Sequence, residues 1–422
     1  MVIAAAPSSG ALPWPGQAPA VPFTERLLLT ILYVTVLASS VGVVEPSPHD
    51  VLMGLLALAC FIAGIRFERL FAIPLLLLVV WNVAGMLSLL NVANDGQAIQ
   101  FAATSVYLAI AGMLFACLFA QNSMLRLATM RAAYVLTATA ISIVGISGYF
   151  HLFPGAYEHF TMEGRVLGGF KDPNVFAPFL IWPTLAVLER MIARRVRFID
   201  LVVASILLFA QLLAFSRGGW FHFALSFAIM LALMLLTAPT QRGRMRIFSL
   251  SAVGVFAFAA LLVVLLSFES VRTMFAERAQ LVQSYDVSSG GRFQMQELAL
   301  NSVLQFPNGM GPFGFARVHG LQQHNVYLQA FLVYGWVGGI AYVSLLLATL
   351  FVGLSAAIAR TPMQPYAITA FACFVGEVAE GAIIDTDHWR HFYLLLGLIW
   401  GLAASTARLR QAPAPVYAAQ SI

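Results

Sequence analysis

Leu70 to Leu90 reads LFAIPLLLLVVWNVAGMLSLL, an apolar run without a single charge. Coiled into a helix rising 1.5 Å per residue, a run of this length crosses the hydrocarbon core of a bilayer, which is roughly 30 Å thick. Similar runs recur near residues 27–44, 51–65, 99–120, 132–150, 174–191, 198–215, 219–237, 247–267, 325–358, 364–384 and 391–407. The pattern predicts about 12 membrane-spanning helices, the second short and the tenth long. The runs are solidly apolar rather than alternating, which excludes a transmembrane β-barrel. Composition agrees: 60% of residues are hydrophobic and 10% charged, against roughly 25% charged in soluble domains. The expected fold class is an all-α integral membrane protein.

The organisation follows from the gaps between runs. Residues 1–26 are expected to form a disordered cytoplasmic segment, 27–407 a single transmembrane domain, and 408–422 a cytoplasmic tail. The first 22 residues are rich in Pro, Ala and Ser, carry no charge, and lack the basic start of a cleavable signal peptide. The first helix, preceded by Arg26, therefore reads as an uncleaved anchor. The longest gap, 268–323, is expected to hold short helices between the ninth and tenth spans. Cys60, Cys117 and Cys373 all fall within apolar runs. An odd number of buried thiols argues for small packing residues and against a disulfide framework.

Cytoplasmic loops are enriched in Lys and Arg. With the N-terminus inside, alternate loops collect most of the 23 cations, including Arg66, Arg69, Arg126, Arg131, the cluster Arg190 to Arg197, the cluster Arg242 to Arg246, and Arg408 and Arg410. The short outer loops 45–50 and 91–98 hold none. Both termini are therefore expected in the cytoplasm. The remaining cations, Arg165, Lys171, Arg217, Arg272, Arg278, Arg292, Arg317 and Arg390, fall outside. They lie mostly in the loops 151–173 and 268–323 and in the turn Ser216-Arg217-Gly218-Gly219. Outward cations against the topogenic bias suit a phosphate or an acidic glycan, because guanidinium grips phosphate oxygens bidentately. The alternative is a set of solvated charges, some paired with Glu163, Glu269, Glu277 or Asp286.

Arg217 sits at the lipid interface, where its glycines allow a close backbone approach to a ligand; snorkelling to headgroups is the plain alternative. Arg292 follows Ser288-Ser289-Gly290-Gly291 and opens a helical stretch, and a helix N-terminus with adjacent glycines favours anions. His324, with Asn325 beside it, directly precedes the tenth span, and histidine is the usual general base near neutral pH. Arg165 to Asn174 reads RVLGGFKDPN, in which Asp172 is a plausible cap of the helix begun by Pro173. Lys171, the only lysine, could contact the same anion. Glu377 and Glu380 lie within the eleventh span, where ionisable groups are costly and usually paired or functional; they are candidate counter-charges for Arg217 or Arg292. Asp385-Thr386-Asp387 is a D-x-D, a pattern some metal-dependent glycosyltransferases use, but lone matches arise by chance, and no metal is expected. Nucleotide-binding loops, HExxH and CxxC are absent from the sequence.

Taken together, Gly169-Phe170-Lys171-Asp172-Pro173-Asn174, Ser216-Arg217-Gly218-Gly219, Gly290-Gly291-Arg292, His324-Asn325 and Gly335-Trp336-Val337-Gly338 resemble the O-antigen ligase and polymerase superfamily of bacterial envelope glycan enzymes. The resemblance covers residues from about 164 to 340. It implies a multi-pass protein of the bacterial inner membrane with a periplasmic active site. The implied donor is a glycan on undecaprenyl pyrophosphate, and the implied acceptor is a sugar hydroxyl on lipid A–core or on another repeat unit. It further implies that Arg217 and Arg292 hold the pyrophosphate and that His324 activates the acceptor. Arg165, Lys171, Asp172, Asn174, Asn325, Glu377 and Asp385 are the expected substrate contacts, with no cofactor and no nucleic-acid partner. Ligation leads polymerisation; a lipid-linked oligosaccharide transporter and a non-catalytic export scaffold are the rivals.

Overall fold

A computed structural model describes residues 21–280 and 291–411. Each of the apolar runs is a helix: α1 (Phe23–Leu37), α2 (Pro48–Ile62), α3 (Ala72–Leu89), α4 (Gly96–Ala120), α5 (Ser123–Tyr149), α7 (Pro173–Ala193), α8 (Phe198–Leu213), α9 (Arg217–Thr237), α10 (Gln241–Leu265), α14 (Val326–Ala357), α15 (Gln364–Glu380) and α16 (Arg390–Gln411). Short helices fill the loops: α6 (Ala156–Phe160), α11 (Glu269–Arg278), α12 (Arg292–Gln305) and α13 (Gly314–His319). The only strands among the described residues are β1 (Thr161–Met162) and β2 (Arg165–Val166), an antiparallel pair. Nine of the described helices are long and apolar enough to cross a membrane. The expectation of about twelve spans is met in number of helices. However, α2, α8 and α15 are only 15, 16 and 17 residues long. Of the segment 1–26 expected to be disordered, 1–20 lie outside the described residues, while Phe23 to Arg26 already belong to α1; the end of the tail at 412–422 and the positions Asp286 and Ser288 to Gly290 also lie outside the described residues.

Ion pairs mark the two ends of the bundle. Arg126 with Glu25 and Arg408 with Glu68 join elements at one end, at 2.7 and 3.0 Å. Arg390 with Asp50, at 2.7 Å, and Arg317 with Asp95 join elements at the end carrying the 268–323 loop. These pairs place the starts of α1, α3 and α5 at one end, and the starts of α2, α4 and α16 at the other.

Small residues set the closest helix contacts, as in membrane bundles generally. Gly397 of α16 lies so near α4 that a Cβ there would meet the Gly112 carbonyl at 2.4 Å. Gly376 of α15 does the same for α9, where a Cβ would stand 2.2 Å from the His222 ring. The loop end is organised by a break inside α14. Gly335 has φ +67° and ψ −177°, a backbone conformation essentially confined to glycine. There the helix stops bonding to itself and takes in the loop: the Trp336 N–H donates to the Pro307 carbonyl at 2.8 Å, and the Met310 N–H donates to the Leu332 carbonyl at 2.6 Å. The Pro307 to Gly311 turn and the Gly335 to Gly339 segment are therefore one structural joint, which moors the large loop onto the span.

Candidate functional site

Three helix N-termini meet at the loop end of the bundle. Asp172 caps α7, accepting from the Asn174 N–H at 2.7 Å. Ser216 caps α9, its hydroxyl accepting from the Gly219 N–H at 3.2 Å. Gly291 precedes α12, which opens on Arg292. All three helices line one cavity of about 390 Å³ through Asn174, Arg217, Gly218, Arg292 and Phe293. Unpaired N–H groups and the helix dipole give each terminus a partial positive charge. Arg165 and Arg278 add to it, so four guanidinium groups from distant parts of the chain face one space. Arg165 is buried and held in place: it donates to the Ala214 carbonyl at 3.1 Å and to Asn174 Oδ1 at 2.7 Å. Arg217 donates to the Gln280 carbonyl at 3.1 Å. Arg278, one of the outward cations, lies against Glu277 at 3.9 Å and joins the cavity because α11 folds back over α9.

One acid enters this basic cavity. Glu380, at the end of α15, lines it from below. Its Oε2 lies 2.8 Å from His222 Nδ1, and the other nitrogen of that ring lies 2.9 Å from the Cys373 carbonyl. His222, fully buried in α9, is not among the candidates named from the sequence, where His324 is the one histidine singled out. The signal was present: an ionisable group within an apolar span is a candidate by that fact alone.

Glu377 is a correction. One turn deeper than Glu380, it neighbours His391, at 3.4 Å, instead of Arg217 or Arg292. A residue three positions from Glu380 on a helix is displaced along the axis by about 4.5 Å, enough to carry it out of the cavity. Lys171 is a second correction. It pairs with Glu45 at 2.6 Å and faces a smaller cavity of about 160 Å³ with Glu45 and Arg390, because the chain reverses between Gly169 and Pro173. Lys171 and Asp172 point to different neighbours, as adjacent residues in extended backbone do.

His324 stands beside the arginine cavity. Gln296, one turn after Arg292 on α12, donates to the His324 carbonyl and to the Ala382 carbonyl, each at 3.3 Å. Asn325 caps α14, accepting from the Tyr327 and Leu328 N–H groups at 3.0 and 3.1 Å, and donates to the Ala382 carbonyl at 3.0 Å. These bonds hold the histidine against α12 on one side and the 381–389 loop on the other. The backbone at His324 has φ +47°, uncommon for a residue with a Cβ. Its side chain is half exposed, and Nδ1 lies 3.7 Å from Asp385 Oδ2, a contact just beyond hydrogen-bond length. Burial and then the nearby Arg292 hold the imidazole below its usual value, with Asp172 partly opposing them. The ring is thus a free base at neutral pH. Burial, with Asp387 close by, raises Asp385 to about 7. Asp385 continues into a polar chain: Gln323 donates to Gln329 Oε1 at 3.0 Å, and Gln329 donates to Asp387 Oδ1 at 2.8 Å. The D-x-D is built into this network, and no group of three acidic, His or Cys side chains among the described residues is arranged to hold a metal ion.

Residues 202–343 match the family model described as O-antigen ligase. The match takes in Arg217, Arg292, His324, Asn325 and the Gly335 joint, and supports the superfamily resemblance read from the motifs. No curated protein matches the chain.

Proposed function

We propose that this O-antigen ligase-like membrane protein transfers a glycan from undecaprenyl pyrophosphate to a sugar hydroxyl of lipid A–core at the periplasmic face of the bacterial inner membrane. The observation that carries the reading is the cavity in which four arginines and three helix N-termini converge at one end of the helix bundle. A diphosphate whose lipid tail stays in the bilayer meets such a site without leaving the interface. Negative charge develops on the leaving pyrophosphate as the glycosidic bond breaks, so fixed guanidinium groups stabilise the transition state more than the ground state.

In this reading Arg217 and Arg292 grip the pyrophosphate, with Arg165 and Arg278 completing the charge. His324 takes the proton of the acceptor hydroxyl, Asp385 orients the ring, and the acceptor oxygen attacks the anomeric carbon opposite the leaving group. One C–O bond forms, the bond to phosphate breaks, the proton rests on His324, and undecaprenyl pyrophosphate departs; the configuration inverts. Neutralisation by arginine leaves no step that requires a metal.

The test is reconstitution of the purified chain with undecaprenyl-pyrophosphate-linked glycan and lipid A–core. Glycosylated acceptor with release of undecaprenyl pyrophosphate is expected. Movement of the donor across the bilayer unchanged would replace the enzyme with a transporter. In a deletion strain, core bearing a single repeat unit would mark a polymerase instead of a ligase, and intact core without any repeat would mark the ligase.

A further inference from the structure

A second, larger groove opens at the same end of the bundle. It lies between α2 and α4, has a volume of about 830 Å³, and is roofed by Phe313 from the large loop. That size is within the range of about 300–1,000 Å³ typical of small-ligand pockets. Gln97, Gln100, Thr104 and Tyr107 line it from α4. They are spaced three or four apart and so form one stripe, on a helix whose other faces are apolar. Polar side chains along a membrane-spanning helix are costly unless something answers them. Thr104 answers only locally, donating to the Gln100 carbonyl at 2.9 Å.

The floor of the groove is polar but balanced. Asp50 accepts from Arg390 Nε and Nη2 at 2.8 and 2.7 Å and from the Tyr107 hydroxyl at 2.9 Å. This bidentate pairing cancels the arginine in the groove, and Glu45, the other acid of its lining, is held by Lys171 at 2.6 Å, which leaves no net cation for a phosphate. One wall is aromatic: Phe101 lies 5.5 Å from Phe313, edge to face, and 3.9 Å from the His388 ring. Amides, hydroxyls, a neutralised ion pair and ring faces are the chemistry that recognises an uncharged, polyhydroxylated ring with apolar C–H faces. An acyl chain would leave the amide stripe unanswered.

We infer that the groove between α2 and α4 is a saccharide site that seats the acceptor glycan, an assignment that rests on the transferase reading above. The donor's pyrophosphate has its own cavity, lined by Ile383 and Ile384, whereas the groove is lined by His388 and Arg390. The two spaces thus sit at opposite ends of one short segment, with Asp385 and the His324 contact between them. An acceptor seated in the groove would approach the donor across that segment.

The probe is the water-soluble oligosaccharide released by mild acid from the cell's own lipid-linked acceptor. Its binding to the purified full chain in nanodiscs is followed by saturation-transfer NMR. The unaltered protein and His324→Ala should both bind it. Gln100→Leu and Thr104→Val make α4 more apolar and should insert normally, as gel filtration and thermal unfolding would verify. Both should lose the NMR signal and raise the acceptor KM about tenfold or more, with the donor KM unchanged. Folded variants that bind the oligosaccharide like the parent, or that raise the donor KM instead, would overturn the inference. Binding that depends on the groove in a protein that transfers nothing would keep the saccharide site and sink the transferase reading.

Discussion

Glu380 and Gly218 are locked together: a Cβ built on Gly218 would stand 2.7 Å from Glu380 Oε1. The other carboxylate oxygen is fixed by His222 at 2.8 Å. The acid at the wall of the arginine cavity therefore sits between two residues of α9, and a larger residue at 218 would force the carboxyl group to shift.

Gly218→Ala should displace that carboxylate without preventing membrane insertion. Transfer should fall on the order of tenfold or more, the scale of a small misplacement in a reacting site. His222→Leu should also lower stability, since it leaves the buried Glu380 carboxyl without its hydrogen-bond partner, a loss of about 1–3 kcal/mol. Thermal unfolding in detergent reads the second effect and a transfer assay the first. A Gly218→Ala protein as active as the parent would show that the clamp has no bearing on the chemistry.

Arg292→Lys keeps the charge but loses the planar fork. Charge-assisted hydrogen bonds contribute about 1.5–3 kcal/mol each, so transfer should drop roughly 10- to 100-fold. Steady-state kinetics with the lipid-linked donor decide it. Parental activity in the lysine variant would mean that Arg292 acts only through net charge.

His324→Ala should abolish transfer while the protein still inserts. The pH profile gives a finer test. A base works deprotonated, so activity must fall as pH drops through its pKa. His324 is held below its usual value of 6.5, which puts its own acidic limb below that pH. Asp385 is raised to about 7, so its charge, and with it the orientation of the imidazole, is present above about 7 and lost below. The parent kcat/KM should therefore begin to fall near pH 7. In Asp385→Asn that limb should vanish, leaving a lower ceiling and a single limb below 6.5. An unchanged profile in the variant would remove Asp385 from the site. Asp172→Asn preserves a helix cap but removes a charge that raises His324, so it should move the lower limb further down.

Gly335→Ala tests the joint that moors the loop. The conformation there costs a residue with a Cβ about 1–3 kcal/mol, and the new Cβ would meet the Pro307 carbonyl at 2.8 Å. A lower unfolding temperature and weakened transfer should appear together, because Arg292 and His324 are carried by the same loop. Gly254→Ala in α10, where nothing lies within 4 Å, is the control and should leave both unchanged. Equal behaviour of the two variants would remove the strain argument.

Much of the site was legible before any coordinates. Arg165, Arg217 and Arg292 stood out as cations away from the most basic loops, and His324 by its place beside Asn325 before the tenth span; all four gather at one end. Nothing in the sequence set Arg278 apart from the other outward cations, and His222 was not legible. The first looks like any loop arginine until α11 folds back over α9. The second is flanked by aromatic and apolar residues that carry no hint of Glu380, which is 158 positions away. Glu377 was misassigned for a related reason: sequence shows that an acid lies in a span, but not at which depth a cavity between helices ends.

The sequence by itself determined where the apolar helices lie along the chain, because transfer into lipid depends on the local sum of apolar residues. That quantity is additive along the chain and needs no partner. Only the tertiary structure decided which charges meet. Arg165, Arg217, Arg278 and Arg292 share a cavity because small residues such as Gly376 and Gly397 let particular helices touch, and because Gly335 bends one span to receive a loop. Contacts of that kind depend on shape complementarity between segments far apart in the chain, which no single stretch of residues can encode alone.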